Sequence, residues 1–373
     1  MRTVSFLSLM ALALLFMSNA SSLAENSDPG SSPGQWKFAV LCDTRGDDIN
    51  SSNKTCINDT FTKALAEEIA KSGCDLVLVP GDLVNGFINN GSISFSSQFK
   101  NWKSAMQPLY DAGVEVYPVR GNHENGHEIS NLTWPPILSP PPKPPVTEPG
   151  MIEAFLGAFN ESYIPRNGPK GETGLSFSFA YKNAFFIGLD EYKSPHRVNQ
   201  VWLDNQLENN VLPHVFVFGH EPAFKITHPG CLAYYSKERD AFWDSLGQGR
   251  AKIYFCGHDH LYNRAHINDS SGRGIYQIVT GSGGAPMEKW MPPYSEGERV
   301  VGDHYDDSHS GYVQVTVNDS LVKVEWRALI NGSWETLDAF SYRLSASPED
   351  SAGSSASAGK VKTAATAPVL AAA

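Results

Sequence analysis

Short apolar runs that end in glycine or polar residues recur along this chain. The five clearest runs cover residues 37–42, 76–80, 114–120, 214–218 and 252–256. Uninterrupted apolar runs of this length are typical of strands that are buried on both faces of an α/β sheet. Between the first two runs, Phe61, Leu65 and Ile69 recur at helical spacing and predict a helix over 59–71. A second helix is predicted over 99–112, so strands and helices are expected to alternate.

The second half of the chain adds further strands to this pattern. Residues 175–181 and 184–190 predict a hairpin, and residues 200–207 predict a short helix. Three more strands, with alternating or continuous apolar residues, are predicted over 274–280, 312–317 and 322–329. Two sheets that pack together and are flanked by helices accommodate all of these elements. We therefore predict an α/β fold, a four-layer α/β/β/α sandwich of two mixed sheets.

The composition is that of a globular protein with a large core. The chain has 373 residues, of which 41% are hydrophobic and 18% are charged. The polar motifs that end the five clearest runs extend from residue 43 to residue 260 and are expected to converge, which predicts one domain over 36–344. Residues 134–150 are rich in proline and predict a surface insertion in that domain. Residues 345–373 are rich in alanine and serine and predict a low-complexity, disordered tail.

The first residues have the pattern of a secretory signal. Residues 1–24 contain one early arginine, an apolar core and small residues near their end, and residues 25–35 predict a linker. A membrane anchor is the alternative, but the apolar stretch is shorter than the ~20 residues that a span requires. The chain is therefore predicted to be secreted or periplasmic, without a membrane contact after cleavage. The net charge of −11 argues against a protein that binds nucleic acid by neutralising many phosphates.

The five cysteines fit an exported protein with one or two disulfides. Cys42 and Cys256 lie on predicted strands and are expected in the core. Cys56, Cys74 and Cys231 are the candidates for bridges, and their pairing is left open.

A residue of a metal-ligating type follows each of the five clearest apolar runs. These residues are Asp43, Asp82, Asn122 with His123, His220, and His258 with His260. Ligands of open α/β sheets bind at the carboxyl ends of the strands, so these side chains are expected to meet at one edge. Each residue type also occurs in ordinary turns, but carboxylate, amide oxygen and imidazole together suit Mn, Fe and Zn. The ordered set therefore predicts a metal site.

The motifs around these residues resemble, in the same order, those of the calcineurin-like metallophosphoesterase superfamily. They are Asp43-x-Arg45, Gly81-Asp82, Gly121-Asn122-His123-Glu124, Gly219-His220 and Gly257-His258-Asp259-His260. The secretory signal and segments 179–192, 202–207 and 280–286 are most similar to the purple acid phosphatase-like branch. The resemblance covers about residues 36–330.

The resemblance implies a centre of two metal ions, Fe, Mn or Zn, that share Asp82. One ion would be held by Asp43 and His260, and the other by Asn122, His220 and His258. His123 would be the acid that protonates the leaving group, oriented by a carboxylate that the sequence does not identify. The implied reaction is hydrolysis of small phosphomonoesters by in-line attack of a metal-bound hydroxide. A phosphodiesterase or nucleotidase is the alternative, because the same centre serves both activities.

Two positions depart from the pattern of the resemblance. The superfamily often has a ligating histidine where this chain has Arg45, and a guanidinium offers no lone pair to a metal. Purple acid phosphatases have an iron-binding tyrosine where this chain has Asn85. Arg45 is predicted to contact a substrate phosphate, beside a centre that keeps two ions with an open coordination position. A single ion, or a non-catalytic binding protein with a degraded first position, is the alternative; the oligomeric state is left open.

Overall fold

The computed structural model describes residues 34–46, 55–86, 93–125, 150–160 and 164–344. Within these ranges, the strands are β1 (Gln35–Val40), β2 (Leu76–Val79), β3 (Glu115–Pro118), β4 (Phe177–Tyr181), β5 (Ala184–Gly188), β6 (His214–Phe218), β7 (Ile253–Cys256), β8 (Tyr262–Asn268), β9 (Gly274–Thr280), β10 (Val300–Asp306), β11 (Gly311–Asn318), β12 (Leu321–Ile330) and β13 (Ser333–Arg343). The helices are α1 (Asp59–Lys71), α2 (Phe95–Ala105), α3 (Gln107–Asp111), α4 (Met151–Ala158), α5 (Gln200–Glu208) and α6 (Ser236–Gln248). Two short 3-10 helices cover His123–Asn125 and Leu232–Tyr235.

The strands form two mixed sheets. The first sheet has the order β13-β12-β11-β1-β2-β3, and its β1, β2 and β3 are parallel. The second sheet has the order β10-β8-β9-β7-β6-β5-β4, and its β5, β6, β7 and β9 are parallel. Antiparallel hairpins and meanders form the remaining positions. The parallel strands reach the edge at β3 in the first sheet and lie inside the second sheet. Their carboxyl ends therefore carry the loops that build the site.

Both faces of the central strands are covered, which explains why these strands are apolar runs without alternation. One face of the first sheet packs against α1–α4, and one face of the second packs against α5 and α6. The other two faces pack against each other, where Phe38 of β1 contacts Phe186 of β5 and Phe216 of β6 at ring distances of 5.4 and 4.9 Å. The predicted four-layer α/β/β/α sandwich is confirmed.

The helix predicted over 59–71 has these bounds in the structure, where Asn58 caps it by accepting a hydrogen bond from the amide of Phe61. The helix predicted over 99–112 is wrong in its extent. It is two helices, α2 and α3, which meet at Met106. Pro108 has no amide hydrogen and its ring would clash with the preceding turn, so α2 ends and a new helix begins with proline in its first turn.

No disulfide forms among the five cysteines, all of which lie in the described ranges. Cys42 and Cys256 are buried in the core, as predicted. The expectation that Cys56, Cys74 and Cys231 are bridging residues is not met. Cys74 and Cys231 are buried in separate parts of the fold, Cys74 beside the helices of the first sheet and accepting a hydrogen bond from Ser72. Burial raises the pKa of both thiols, so both are protonated at neutral pH.

Several sequence predictions concern residues outside the described ranges. These are the signal over 1–24, the tail over 345–373, almost all of the proline-rich insertion over 134–150, and most of the linker over 25–35. Strand β1 begins at Gln35, so it takes the last residue assigned to the linker. None of the helices in the described ranges has the length and apolar character that crossing a membrane requires.

Asp338 of β13 links the two sheets. Its carboxylate accepts hydrogen bonds from Arg264 Nε (2.7 Å) and Nη2 (3.0 Å) and from the Tyr262 hydroxyl (2.8 Å), both on the second sheet. Tyr262 in turn stacks on Trp326 of the first sheet, with ring centres 4.6 Å apart. Burial opposes ionisation of Asp338, but the hydrogen bonds from Arg264 and Tyr262 lower its pKa below the ordinary 3.8.

Asp338→Asn is therefore expected to destabilise the protein in a pH-dependent way. At pH 7 we expect a loss of about 1.5–3 kcal/mol in the free energy of unfolding, as for hydrogen bonds to a charged group. A lowered pKa means that this stabilisation is complete above the unfolded pKa and is lost as the pH falls through the folded pKa. Urea unfolding at several pH values should show the difference from wild type shrinking toward acid. A difference that does not change with pH, or one that Glu335→Gln (exposed, on the same strand) reproduces, would contradict this account.

Candidate metal centre

The predicted ligand residues lie in the loops that follow parallel strands of both sheets. Three of these loop residues have a left-handed backbone. They are Asp43 at φ 58°, Asp82 at φ 51° and His258 at φ 72°. This conformation costs residues other than glycine about 1–2 kcal/mol each. Strain of this kind collects at functional sites, where the surrounding structure holds it. Three such residues at one edge of the sandwich mark this edge as a functional site.

Asp82, Asn122, His220 and His258 bring their ligand atoms together, and we call them the histidine–amide cluster. His220 Nε2 and His258 Nδ1 each lie 2.9 Å from Asn122 Oδ1. Asp82 Oδ1 lies 3.4 Å from His220 Nε2. The glycines of the motifs allow this approach, because a Cβ at Gly121 would collide with Asp82 Oδ1, and one at Gly257 with a carboxylate oxygen of Asp43.

Both imidazoles of this cluster place a ring nitrogen beside the amide oxygen of Asn122. His220 Nδ1 lies 2.7 Å from the carbonyl of Pro80, which only accepts, so Nδ1 carries a hydrogen and Nε2 is the nitrogen that faces the cluster. Burial, followed by the neighbouring histidines His228 and His220, lowers the pKa of His258 well below its ordinary value. Its buried Nε2 has no hydrogen-bond partner in the described part of the chain. Imidazole nitrogens, an amide oxygen and a carboxylate are a donor set that fits a metal ion.

Asp43 and His260, the other predicted ligand pair, lie beside this cluster. Asp43 Oδ1 is buried, has no hydrogen-bond partner among the described residues, and lies 3.6 Å from His260 Nε2. With Asp82, the pair forms a group whose ligand atoms are all within 4.8 Å of one another. Burial, followed by the charge of Asp82, raises the pKa of Asp43 well above its ordinary value. A proton on Asp43 or a cation nearby relieves the repulsion between two buried carboxylates this close.

Arg45 supplies a cation to the group formed by Asp43, Asp82 and His260. Its side chain is buried, with Nη2 3.3 Å from His260 Nε2 and Nε 3.5 Å from Asp82 Oδ2. Asp82 and His260 are two of the residues that would hold the first ion. The donor set of the histidine–amide cluster thus fits an ion, whereas the set around Asp43 and His260 already contains a guanidinium. Whether Arg45 also contacts a substrate phosphate stays a prediction.

His123 lies at the margin of the cluster, with Nε2 3.8 Å from Asp82 Oδ2. Its Nδ1 lies 2.6 Å from the backbone carbonyl of Asn85. In the described structure this carbonyl therefore orients the imidazole of His123, a role that the sequence analysis expected of a carboxylate. Asn85 thus contributes its backbone carbonyl to the site.

Two buried glutamates that the sequence did not assign hold the ligand loops. Glu124 accepts hydrogen bonds from the amides of Asp82 (2.9 Å), Val84 (2.9 Å) and Gly121 (2.8 Å). Glu191 accepts from the amide of His220 at 2.8 Å and from the Tyr254 hydroxyl at 2.6 Å. Glu124 belongs to the motif Gly121-Asn122-His123-Glu124, so its place at the site could have been predicted from the sequence. The partners of Glu191 are distant in sequence, so no local pattern indicates its role.

Glu124→Ala is expected to weaken metal binding without removing a ligand. Three buried amides lose their acceptor, and the loops that carry Asp82 and Asn122 lose their common support. Substitution of residues that orient ligands typically costs 10- to 100-fold in metal affinity, and we expect a loss in that range. Calorimetric titration of metal-free protein with Mn²⁺ measures it, with the exposed Glu335→Ala as the matched control. An unchanged dissociation constant would show that Glu124 does not support the site.

A second cluster, His228, Asp259 and Glu288, lies against the site and was also missed. His228 Nδ1 lies 3.1 Å from Asp259 Oδ1, and Nε2 lies 3.1 Å from Glu288 Oε1. Burial opposes protonation of His228, but the two carboxylates raise its pKa to about 10. The rings of His228 and His258 are 4.7 Å apart. Because the charges of this cluster are already paired, it supports the loop of His258 and His260 and is a poor metal site.

Several other histidines and large side chains lie outside the histidine–amide cluster. His309 pairs with Asp306, and His304 lies on β10. Tyr262 packs between the sheets, Trp290 contacts Tyr294, and Met291 is exposed. His127 lies outside the described ranges.

The fold has close counterparts among solved structures at low sequence identity. A purple acid phosphatase from yellow lupin (Lupinus luteus) seeds is 18% identical, with a TM-score of 0.58 over 85% of this chain and 55% of the lupin chain. PhoD is 15% identical, with a TM-score of 0.55 over 85% of this chain and 71% of its own. A dimetal phosphatase from Danio rerio is 15% identical, with a TM-score of 0.52 over 83% and 99%. This chain thus spans about half the length of the lupin enzyme, and these likenesses establish the fold.

No curated protein sequence matches the chain. The model of the calcineurin-like phosphoesterase family, however, matches residues 48–262. This match spans more than half of the chain and includes the strand-end residues from Asp82 to His260. Together with the two-sheet sandwich and the convergence of the ligand residues at its edge, it shows that the chain belongs to the calcineurin-like phosphoesterase family.

Proposed function

We propose that the chain is a metal-dependent hydrolase of small phosphomonoesters. The observation that carries the proposal is the approach of His220 and His258 to Asn122, and of Asp82 to His220, at the edge of the sandwich. These residues would hold an ion that is Fe, Mn or Zn by the chemistry of its donors. When bound, such an ion polarises a phosphoryl oxygen and makes water a better nucleophile at neutral pH.

His123 is proposed as the general acid. The carbonyl of Asn85 fixes Nδ1 as a donor, which turns Nε2 toward the cluster. A proton on Nε2 would then point at the place where the leaving oxygen departs. An acid of this kind must carry its proton before it donates that proton to the leaving oxygen. General acids of this kind contribute about 10²- to 10⁴-fold to the rate.

The buried setting supports chemistry on a charged ester. Asp43, Asp82, His123 and His260 are all less than 10% exposed. Charge interactions in such a site are stronger than in water, and the groups that make them are fixed before the substrate binds. Glu124 and Glu191 hold the loops, so the ligand atoms need little rearrangement on binding.

Export is the second part of the proposal. Residues 1–24 have the composition of a cleaved signal, and they support a secreted or periplasmic location. Sequencing of the N-terminus of the exported protein tests it, and a mature chain that still begins at Met1 in the cytoplasm would contradict it.

The test of function compares two classes of ester on one preparation. Metal is removed with a chelator and restored as Mn²⁺, Fe²⁺ or Zn²⁺, and hydrolysis of a monoaryl phosphate and of a bis-aryl phosphate is followed. We expect metal-dependent hydrolysis that is faster on the monoester. Faster hydrolysis of the diester would favour the phosphodiesterase alternative. Bound metal without turnover of either ester would favour a non-catalytic binding protein.

A further inference from the structure

We infer that the guanidinium of Arg45 occupies the place of the first metal ion, so that this chain binds one ion where the resemblance implies two. The inference rests on the proposed function, because it takes the histidine–amide cluster to be a metal site. It concerns how the charge of the first ion is replaced.

The position of Arg45 is the first argument. Its Nη2 lies 3.3 Å from His260 Nε2, and its Nε lies 3.5 Å from Asp82 Oδ2. His260 Nδ1 lies 3.0 Å from the carbonyl of Pro286, so Nδ1 carries the hydrogen and the lone pair of Nε2 faces the guanidinium. A metal ion would need that lone pair at about 2 Å. Arg45 therefore takes the coordination atom that the ion would require.

The two oxygens of Asp82 are divided between the two positions. Oδ1 lies 3.4 Å from His220 Nε2, on the side of the histidine–amide cluster. Oδ2 lies 3.5 Å from Arg45 Nε, on the side of Asp43 and His260. In a two-metal centre this carboxylate would bridge two ions. Here it bridges a guanidinium and the place of one ion, which leaves the histidine–amide cluster complete.

Charge gives the second argument. A guanidinium stays protonated in proteins, and Arg45 is only 6% exposed, so its charge is not screened by water. Two divalent ions beside it would set five positive charges against the carboxylates of Asp43 and Asp82. One divalent ion beside Arg45 would give three positive charges. The chemistry that the first ion would supply, a fixed positive charge facing the substrate, is available from Arg45 without an ion.

The experiment counts bound metal without substrate. Wild type, Arg45→His and the matched control Arg343→His, exposed on β13 far from the site, are stripped, loaded with excess Mn²⁺ and desalted. Manganese per chain is measured by mass spectrometry, and electron paramagnetic resonance reports whether two ions are coupled at about 3.5–4 Å. We expect one uncoupled ion in wild type and in Arg343→His. Arg45→His restores an imidazole ligand beside Asp43 and His260, and we expect two coupled ions.

The outcomes separate this inference from the proposed function. Two coupled ions in wild type, or one ion in both wild type and a folded Arg45→His, would overturn the inference. No ion in either protein would overturn the inference and the proposed function together. One ion in wild type and two in the variant, without ester hydrolysis, would overturn only the function. If Arg45→His does not fold, anomalous diffraction from wild-type crystals with Mn²⁺ decides: a single peak among Asp82, Asn122, His220 and His258 supports the inference, and a peak at Asp43 and His260 overturns it.

Discussion

Replacing His258 with alanine is expected to remove bound metal and ester hydrolysis together. His258 Nδ1 is one of the two imidazole nitrogens that lie 2.9 Å from Asn122 Oδ1, and its loss leaves the cluster with three ligand residues. Residues that merely orient a ligand already contribute 10- to 100-fold to metal affinity, so loss of a ligand should cost more than about 100-fold. Turnover should fall at least as far, since the reaction is proposed to need the ion.

The matched control is His266→Ala, which removes a histidine from β8 outside the cluster. Metal content and hydrolysis of a monoaryl phosphate are measured on both variants and on wild type, after circular dichroism has shown that each is folded. His266→Ala should retain both properties. Full turnover in His258→Ala would mean that the ligand assignment is wrong.

Asp190→Ala is expected to cause the largest loss of stability. Asp190 follows β5 of the second sheet and pairs with Arg120, which follows β3 of the first, through contacts of 2.6 and 3.0 Å. Neither side chain has any exposed surface. Asp190 Oδ1 also accepts from the amides of Tyr192 and Lys193. Removing the carboxylate leaves a buried guanidinium and two amides unpaired, which typically costs about 3–5 kcal/mol.

Denaturant unfolding measures this loss, and Glu67→Ala is the contrasting variant. Glu67 pairs with Lys63 at 4.0 Å on the surface of α1, where both side chains are about half exposed or more. An exposed pair of this kind is worth about 0.3–0.5 kcal/mol. Equal losses in the two variants would mean that the Arg120–Asp190 pair does not hold the two sheets together.

The architecture was largely predictable from local patterns. The helix over 59–71, the hairpin of β4 and β5, and the central strands were expected from the spacing of apolar residues, which burial on one or both faces imposes. The break between α2 and α3 was missed, although Pro108 was visible in the sequence. The absence of disulfides among the five cysteines could not be predicted, because a sequence gives the number of cysteines but not the distances between them.

The residues that converge at the site were also within reach of the sequence. Asp43, Asp82, Asn122, His220, His258 and His260 each follow an apolar run, and parallel strands bring their carboxyl ends to one edge. Whether they bind metal stays a prediction that the experiments above test. The supporting residues Glu191, His228 and Glu288 could not be found in this way, because their contacts join segments that no local pattern relates.

By itself the sequence determined which side chains stand at the strand ends, because strand period and glycine-containing turns are local properties of the chain. Only the tertiary structure decided which cation lies between Asp82 and His260. Arg45 and His260 are 215 positions apart, and the arginine side chain is long enough to point toward solvent, substrate or ligand. Its direction depends on the buried charges that surround it once both sheets are assembled, and these charges exist together only in the folded protein.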